Sequence, residues 1–193
     1  MGKTVCKGGK EMSELEILRR GFVAFIDGLW WGLRDNTGAL SMYDGYSGGF
    51  KQMGQEFAES KGGKGPERAA EIAGEILTAI GLEIEVDKKT ITVKSCPIWD
   101  RILERGLEFS FHIEEICWMP LLEGIAKVTN AKPIVDSSLR LLHISKEKTE
   151  YKKGKAKKAL DKGDITKEAY EKQIVMLDSD IESMPKFGQY RFE

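Results

Sequence analysis

From Ser13 onward, apolar residues recur at helical spacing: Leu15, Leu18, Phe22, Phe25, Ile26, Leu29 and Leu33 form one wide face. Ser13 stands where a helix cap is expected, and the run from Asp35 to Gly38 stops the pattern. The segment from Ala39 to Ser60 predicts a second helix, weakened by Gly45, Gly48 and Gly49. Glycine costs up to ~1 kcal/mol in a helix interior. Three within five residues therefore signal close approach to another backbone, a ligand contact, or a broken helix.

The glycine-rich link from Lys61 to Gly65 leads into the plainest helical pattern, with Pro66 in the first turn and Gly81 as the terminator. Alternation then predicts a β-hairpin, turning at Asp87-Lys88-Lys89, with Leu82, Ile84, Val86, Ile91 and Val93 inward. Ser95-Cys96-Pro97 predicts a strand-to-helix corner, and Gly106 ends that short helix. A further helical pattern covers His112 to Asn130, with Pro120 kinking or restarting it. The stretch from Lys132 to Ser145 is β-branched and alternating, and predicts one long or two short strands. From Tyr151 onward the pattern predicts two helices around Asp161–Thr166, with Thr166 capping the second. Helices, hairpin, helices, strands and helices in that order predict an α+β fold, with helices packed on a small antiparallel sheet and a C-terminal helical hairpin.

Composition narrows the class rather than the function. The chain has 193 residues, 41% hydrophobic and 32% charged, enough for a substantial core without disulfide staples. Three cysteines, Cys6, Cys96 and Cys117, make no disulfide framework. With no signal-peptide pattern and no run of about 18 apolar residues, the expectation is a cytoplasmic protein with no membrane partner. Net charge is −1, unevenly placed: Lys146–Lys172 carries ten lysines against six acidic residues. Five lysines fall within Lys152–Lys158, but one flanking aromatic, Tyr151, gives a solvated helix face the advantage over a nucleic-acid footprint.

Four constellations carry potential chemistry. Cys96, Cys117, His112 and His143 supply soft metal donors, zinc being the candidate metal, although none has the close spacing of a dedicated zinc motif. Buried cysteines behaving as small hydrophobes are the commoner alternative. A Cys117–His112 dyad would need a bent segment, because five residues place the two on different helix faces. Neither Gly45–Gly49 nor Lys61–Glu67 follows a predicted strand, as a phosphate-binding loop would. Finally, Trp30, Trp31, Phe50, Trp99 and Trp118, with Met42, Met53 and Met119, could line an apolar ligand pocket or simply build the core.

The stretch Ile91–Pro97, followed by Glu114–Ser145, resembles the 4-vinyl reductase, or hydrocarbon-binding, domain family. In that family a hairpin strand enters a cysteine-bearing corner, a second cysteine precedes a glycine-containing helix, and a strand pair with an acidic residue follows. Cys96, Cys117, Gly124 and Asp136 occupy the corresponding places. Leu29–Glu59 is similar to the family's leading helices, so the likeness covers about 130 residues. It implies a small-molecule sensing or carrying domain over residues 1–151, with a fold similar to haem nitric-oxide-binding domains, although no haem ligand can be assigned. Many members carry further cysteines in the last strands. Here that site is thinned to Cys96, Cys117 and His143. Residues 152–193 resemble a short C-terminal helical motif through Leu160, Gly163, Ile165, Thr166, Tyr170 and Leu177, with Ala169 where an acidic residue is usual.

The expectation is a dimeric, non-enzymatic protein that binds or senses an apolar ligand, the tail helices serving as the dimerisation element. The alternative is an enzyme that uses the cysteines or a metal on a small hydrophobic substrate. A third class is a partner-binding adaptor whose aromatic residues form an interface.

Overall fold

The Ser13 hydroxyl accepts the Glu16 amide at 3.2 Å and opens helix α1, Glu14–Thr37. The computed structural model describes residues 12–193; Cys6 lies outside them. Gly38, at a φ of 81°, joins α1 to α2, Ala39–Lys61, which runs unbroken through Gly45, Gly48 and Gly49. Helix α3 covers Pro66–Ala79, with proline in its first turn. The hairpin follows as β1, Glu83–Asp87, and β2, Thr90–Ser95, paired antiparallel. Helix α4, Pro97–Glu104, starts at the cysteine corner. A π-helical turn, Glu114–Trp118, leads into α5, Met119–Thr129, so Pro120 falls in the first turn of the new helix and breaks nothing.

The remaining elements are β3, Pro133–Ser137; α6, Leu139–Lys162; α7, Lys167–Ser183; and β4, Gly188–Phe192. The fold is α+β, with helices on a four-stranded antiparallel sheet in the order β1-β2-β4-β3. Helices α3 and α5 lie against this sheet, and α2 packs on α5 as a further layer.

Two segments differ from the sequence expectation. The second half of Lys132–Ser145 is helix rather than strand. Ser138 turns its hydroxyl to the Leu141 amide at 3.0 Å and caps α6, which then buries Arg140 and Leu142. A side-chain cap outweighs the weak strand preference of alternating leucines. The second difference is β4, which the pattern did not predict. Its Gly188, Tyr190 and Phe192 alternate inward, and it pairs with β2 on one side and β3 on the other. The C-terminal segment thus ends in the middle of the sheet. Of the predicted inward hairpin residues, Leu82, Ile91 and Val93 are buried and Ile84 is half-buried, whereas Val86 is exposed, though it lies against α3.

The closest packing joins α2 to α5. A methyl group added at Gly54 would lie 2.1 Å from the Leu121 carbonyl oxygen, and one at Gly124 would lie 2.1 Å from the Lys51 carbonyl oxygen. Each helix therefore presents a glycine to the other's backbone, and backbone atoms cannot move aside as a flexible side chain can. Lys51 to Glu123, at 2.9 Å, and Lys127 to Gln55, at 3.2 Å, clasp the rim of the same contact.

Gly124→Ala should destabilise the protein by about 2–3 kcal/mol, as overpacking against a rigid wall does, whereas Gly48→Ala, whose new methyl meets no atom within 4 Å, should be neutral or stabilising. Urea unfolding of the two variants checks the contrast. Truncation after Tyr151 removes β4 and leaves β2 and β3 without their shared partner. The truncated chain should lose its cooperative unfolding transition, read by circular dichroism.

Candidate functional site

The cysteine corner is built first by local geometry. Cys96 follows β2 in extended conformation and caps α4, its sulfur accepting the Trp99 amide at 3.4 Å, in the role serine usually plays. Cys117 sits in the π-helical turn, and both thiols are buried and unpaired. Burial pushes Cys96 up to about 12, partly offset by the Trp99 and Ile98 amides. Burial, then the nearby Cys96 and Glu114, holds Cys117 well above the ordinary thiol range. Tyr190 is raised for the same reasons: burial first, then Glu114 and the two cysteines. These groups share one buried neighbourhood.

Its charged member is the Glu114–Arg140 pair, both side chains under a tenth exposed. Arg140 also donates its Nε to the Glu108 carbonyl at 2.8 Å, while the second Glu114 carboxylate oxygen has no partner among the described residues. Removing one member of such a pair strands a buried charge, at a cost of about 3–5 kcal/mol. The pair ties the first turn of α6 to the π-helical turn.

The candidate ligands do not form a larger cluster. His143 packs edge-on to Trp99, 5.6 Å between ring centroids. His112 lies half-exposed with Nδ1 3.0 Å from Glu115 and Nε2 3.3 Å from the Phe109 carbonyl, while Cys117 is wholly enclosed. Among the described residues, no group of three or more histidine, cysteine, aspartate or glutamate side chains is arranged to hold a metal ion. Burial raises both thiols, which disfavours the thiolate a nucleophile needs.

The aromatic residues divide in a way the sequence could not show. Trp30 is buried, stacked on Phe111 at 4.2 Å and edge-on to Tyr46. Trp118 is buried and meets Phe50 edge-on, and Trp99 is buried at the head of α4. Trp31 points the other way, donating to Asp27 at 3.2 Å with Arg34 over its ring. Of these five candidates, Phe50 alone lines the groove that runs between α1 and α2.

That groove has a volume of about 210 Å³. Phe22, Phe25 and Leu29 form its α1 wall, and Gly45, Gly49 and Met53 its α2 wall. Ile26, Tyr46 and Phe50 close the floor, and the Tyr46 hydroxyl is turned away into a bond with the Ile26 carbonyl. A methyl group added at Gly49 would meet no atom within 4 Å. The spacing of Gly45, Gly49 and Met53 on one helical face was the available sequence signal. What hid it was Phe25, which counted there as core yet stands 63% exposed at the groove's lip.

The raised thiols make stability fall as pH rises. An unfolded chain releases these protons near pH 9 and the folded chain only near 12 for Cys96, so the folded state loses ground across that window. Cys96→Ala should flatten the slope of unfolding free energy between pH 9 and 11. A chromogenic disulfide reagent should modify at most one of the three cysteines in the native protein and all three in denaturant.

Comparison with protein-family models, with curated proteins and with solved structures finds no match to this chain.

Proposed function

We propose that this protein binds a small apolar molecule in the α1–α2 groove, as a carrier or sensor rather than through chemistry at its thiols. The observation behind this reading is the pair of helix-interior glycines on the groove wall. Gly45 and Gly49 have ordinary helical backbone within α2, and among the described residues no atom would lie within 4 Å of a methyl group added at Gly49. Each costs the helix ~1 kcal/mol relative to alanine, and at Gly49 no internal contact accounts for that cost. An open apolar volume that side chains would otherwise fill is what the glycines provide. Binding sites of this kind are mostly apolar with few polar groups.

The hydrocarbon-binding resemblance supports the same reading. That resemblance is carried in the sequence by Cys96, Cys117, Gly124 and Asp136; the strand pair it implies after Gly124 is here one strand, β3, followed by helix α6. A cysteine-nucleophile enzyme has less support, since burial raises both described thiols and disfavours the thiolate.

Titration with a fluorescent polyene fatty acid tests the reading. The native protein should bind it, and Gly49→Leu, which fills the groove from its α2 wall, should weaken binding at least about tenfold without lowering the melting temperature. No binding by the native protein, or equal binding by the variant, would overturn the proposal.

A further inference from the structure

Among the described residues the sheet has two edge strands, β1 and β3, and β1 is the open one. β3 begins with Pro133 and carries a bulge between Val135 and Ser137, two devices that blunt a strand edge. β1 has no proline, and its irregularity lies at its first step, Glu83 to Ile84. The two-residue turn at Lys88-Lys89 makes Asp87 and Thr90 a bonded pair, and alternation puts Glu85 and Thr92 on the same ladder. Ile84 and Val86 therefore turn their N–H and C=O groups outward, where no backbone group among the described residues bonds them.

Beside this edge lies a groove of about 860 Å³ between β1 and α3, lined also by Leu15 and Arg19 of α1. Gly74 brings α3 against the strand: a methyl group added there would lie 2.6 Å from the Val86 Cγ2. Val86 is nevertheless 41% exposed, on the same face of β1 as the half-buried Ile84. Free backbone groups beside an apolar groove are what strand addition uses. The backbone bonds hold the incoming strand, and the groove receives its alternate side chains.

Charge decides which strand fits. Glu83, Glu85 and Asp87 occupy the other face of β1, all exposed, and Glu67, Glu71 and Glu75 line the groove from α3. Of the basic residues in the lining, Arg19 is committed to the Thr78 and Ala79 carbonyls, and Lys88 stands in the hairpin turn. A second copy of this chain is a poor occupant. Two β1 strands paired about a two-fold axis set same-face residues opposite each other, so acid meets acid, which is destabilising. A strand with lysine or arginine at alternate positions instead meets these acids with opposite charge, and its intervening apolar side chains lie beside Ile84 and Val86.

We propose that this protein docks an extended basic segment of a partner protein on the free edge of β1, as an added strand beside α3. The proposal is independent of the ligand reading, whose groove lies between α1 and α2.

Fluorescence anisotropy of a labelled peptide of alternating lysine and valine tests this, with circular dichroism as the check on folding. The full chain should bind it and should not bind the matching peptide of alternating glutamate and valine. N-methyl groups on one alternate set of peptide residues should weaken binding at least about tenfold, whereas on the other set, whose N–H groups point to solvent, they should be tolerated. Charge attraction without strand pairing would not tell the two sets apart. Val86→Pro removes an outward N–H and leaves the β1–β2 ladder in place, so a folded variant should lose binding. Glu83→Gln, Glu85→Gln and Asp87→Asn together should also weaken it. No binding by the native chain, equal binding of the two methylated peptides, or a folded Val86→Pro variant that binds as the native chain does would each overturn the proposal. The rival occupant is this chain's own residues 1–11, which carry Lys3, Lys7 and Lys10. Peptide binding that tightens at least about tenfold when all three are changed to glutamate would assign the edge to that segment and overturn the partner reading.

Discussion

The reciprocal contact of Gly54 with the Leu121 carbonyl and of Gly124 with the Lys51 carbonyl fixes the rest of this structure. It brings two helix backbones together with no side chain between them, a distance that packing cannot adjust. Helix α5 is held by α2 on one side and meets the sheet on the other, so the sheet's position follows from that of α2. The opposite face of α2 turns toward α1, and there its glycines do the reverse. Gly54 admits a backbone, whereas Gly49 leaves space. One helix thus uses the same residue type for two physical ends, and only the neighbour distinguishes them.

A second constraint operates around the π-helical turn. The extra residue in that turn accompanies a buried Glu114 and a fully enclosed Cys117, next to Cys96 and Tyr190. A buried ion pair is weak evidence for stability, but breaking one is costly, so such a pair resists rearrangement. Arg140, bonded both to Glu114 and to the Glu108 carbonyl, anchors the root of α6 while most of that helix extends outward beside α7. The cysteine corner that stands out in the sequence is part of this anchoring. Burial of its thiols disfavours the thiolate form and packs both sulfur atoms into the core.

Much of the helical part was legible. Ser13 and Thr166 cap the helices they precede, Pro66 and Pro97 open theirs, and Gly163 ends α6, each because local backbone chemistry needs no distant partner. The hairpin was legible for the same reason, its strands being neighbours in the chain. β4 was not, although Tyr190, Arg191 and Phe192 alternate; a five-residue strand that pairs with β2 and β3 from far along the chain gives no local sign of its partners. The aromatic pocket expected around the tryptophans shows the same limit. Trp30 and Trp31 are equally apolar in sequence, and only packing places one against Phe111 and the other beside Asp27.

The sequence by itself therefore determined the helix ends, the hairpin, the strand-to-helix corner at Cys96 and the α+β class, since caps, turns and periodicity act over a few residues. Tertiary structure alone decided which glycines are contacts and which are space, which tryptophan is core, and that the last strand lies within the sheet. It also decided that two sulfur atoms remote in sequence are both buried in one core. These outcomes depend on distances between segments far apart in the chain, and no local interaction encodes such a distance.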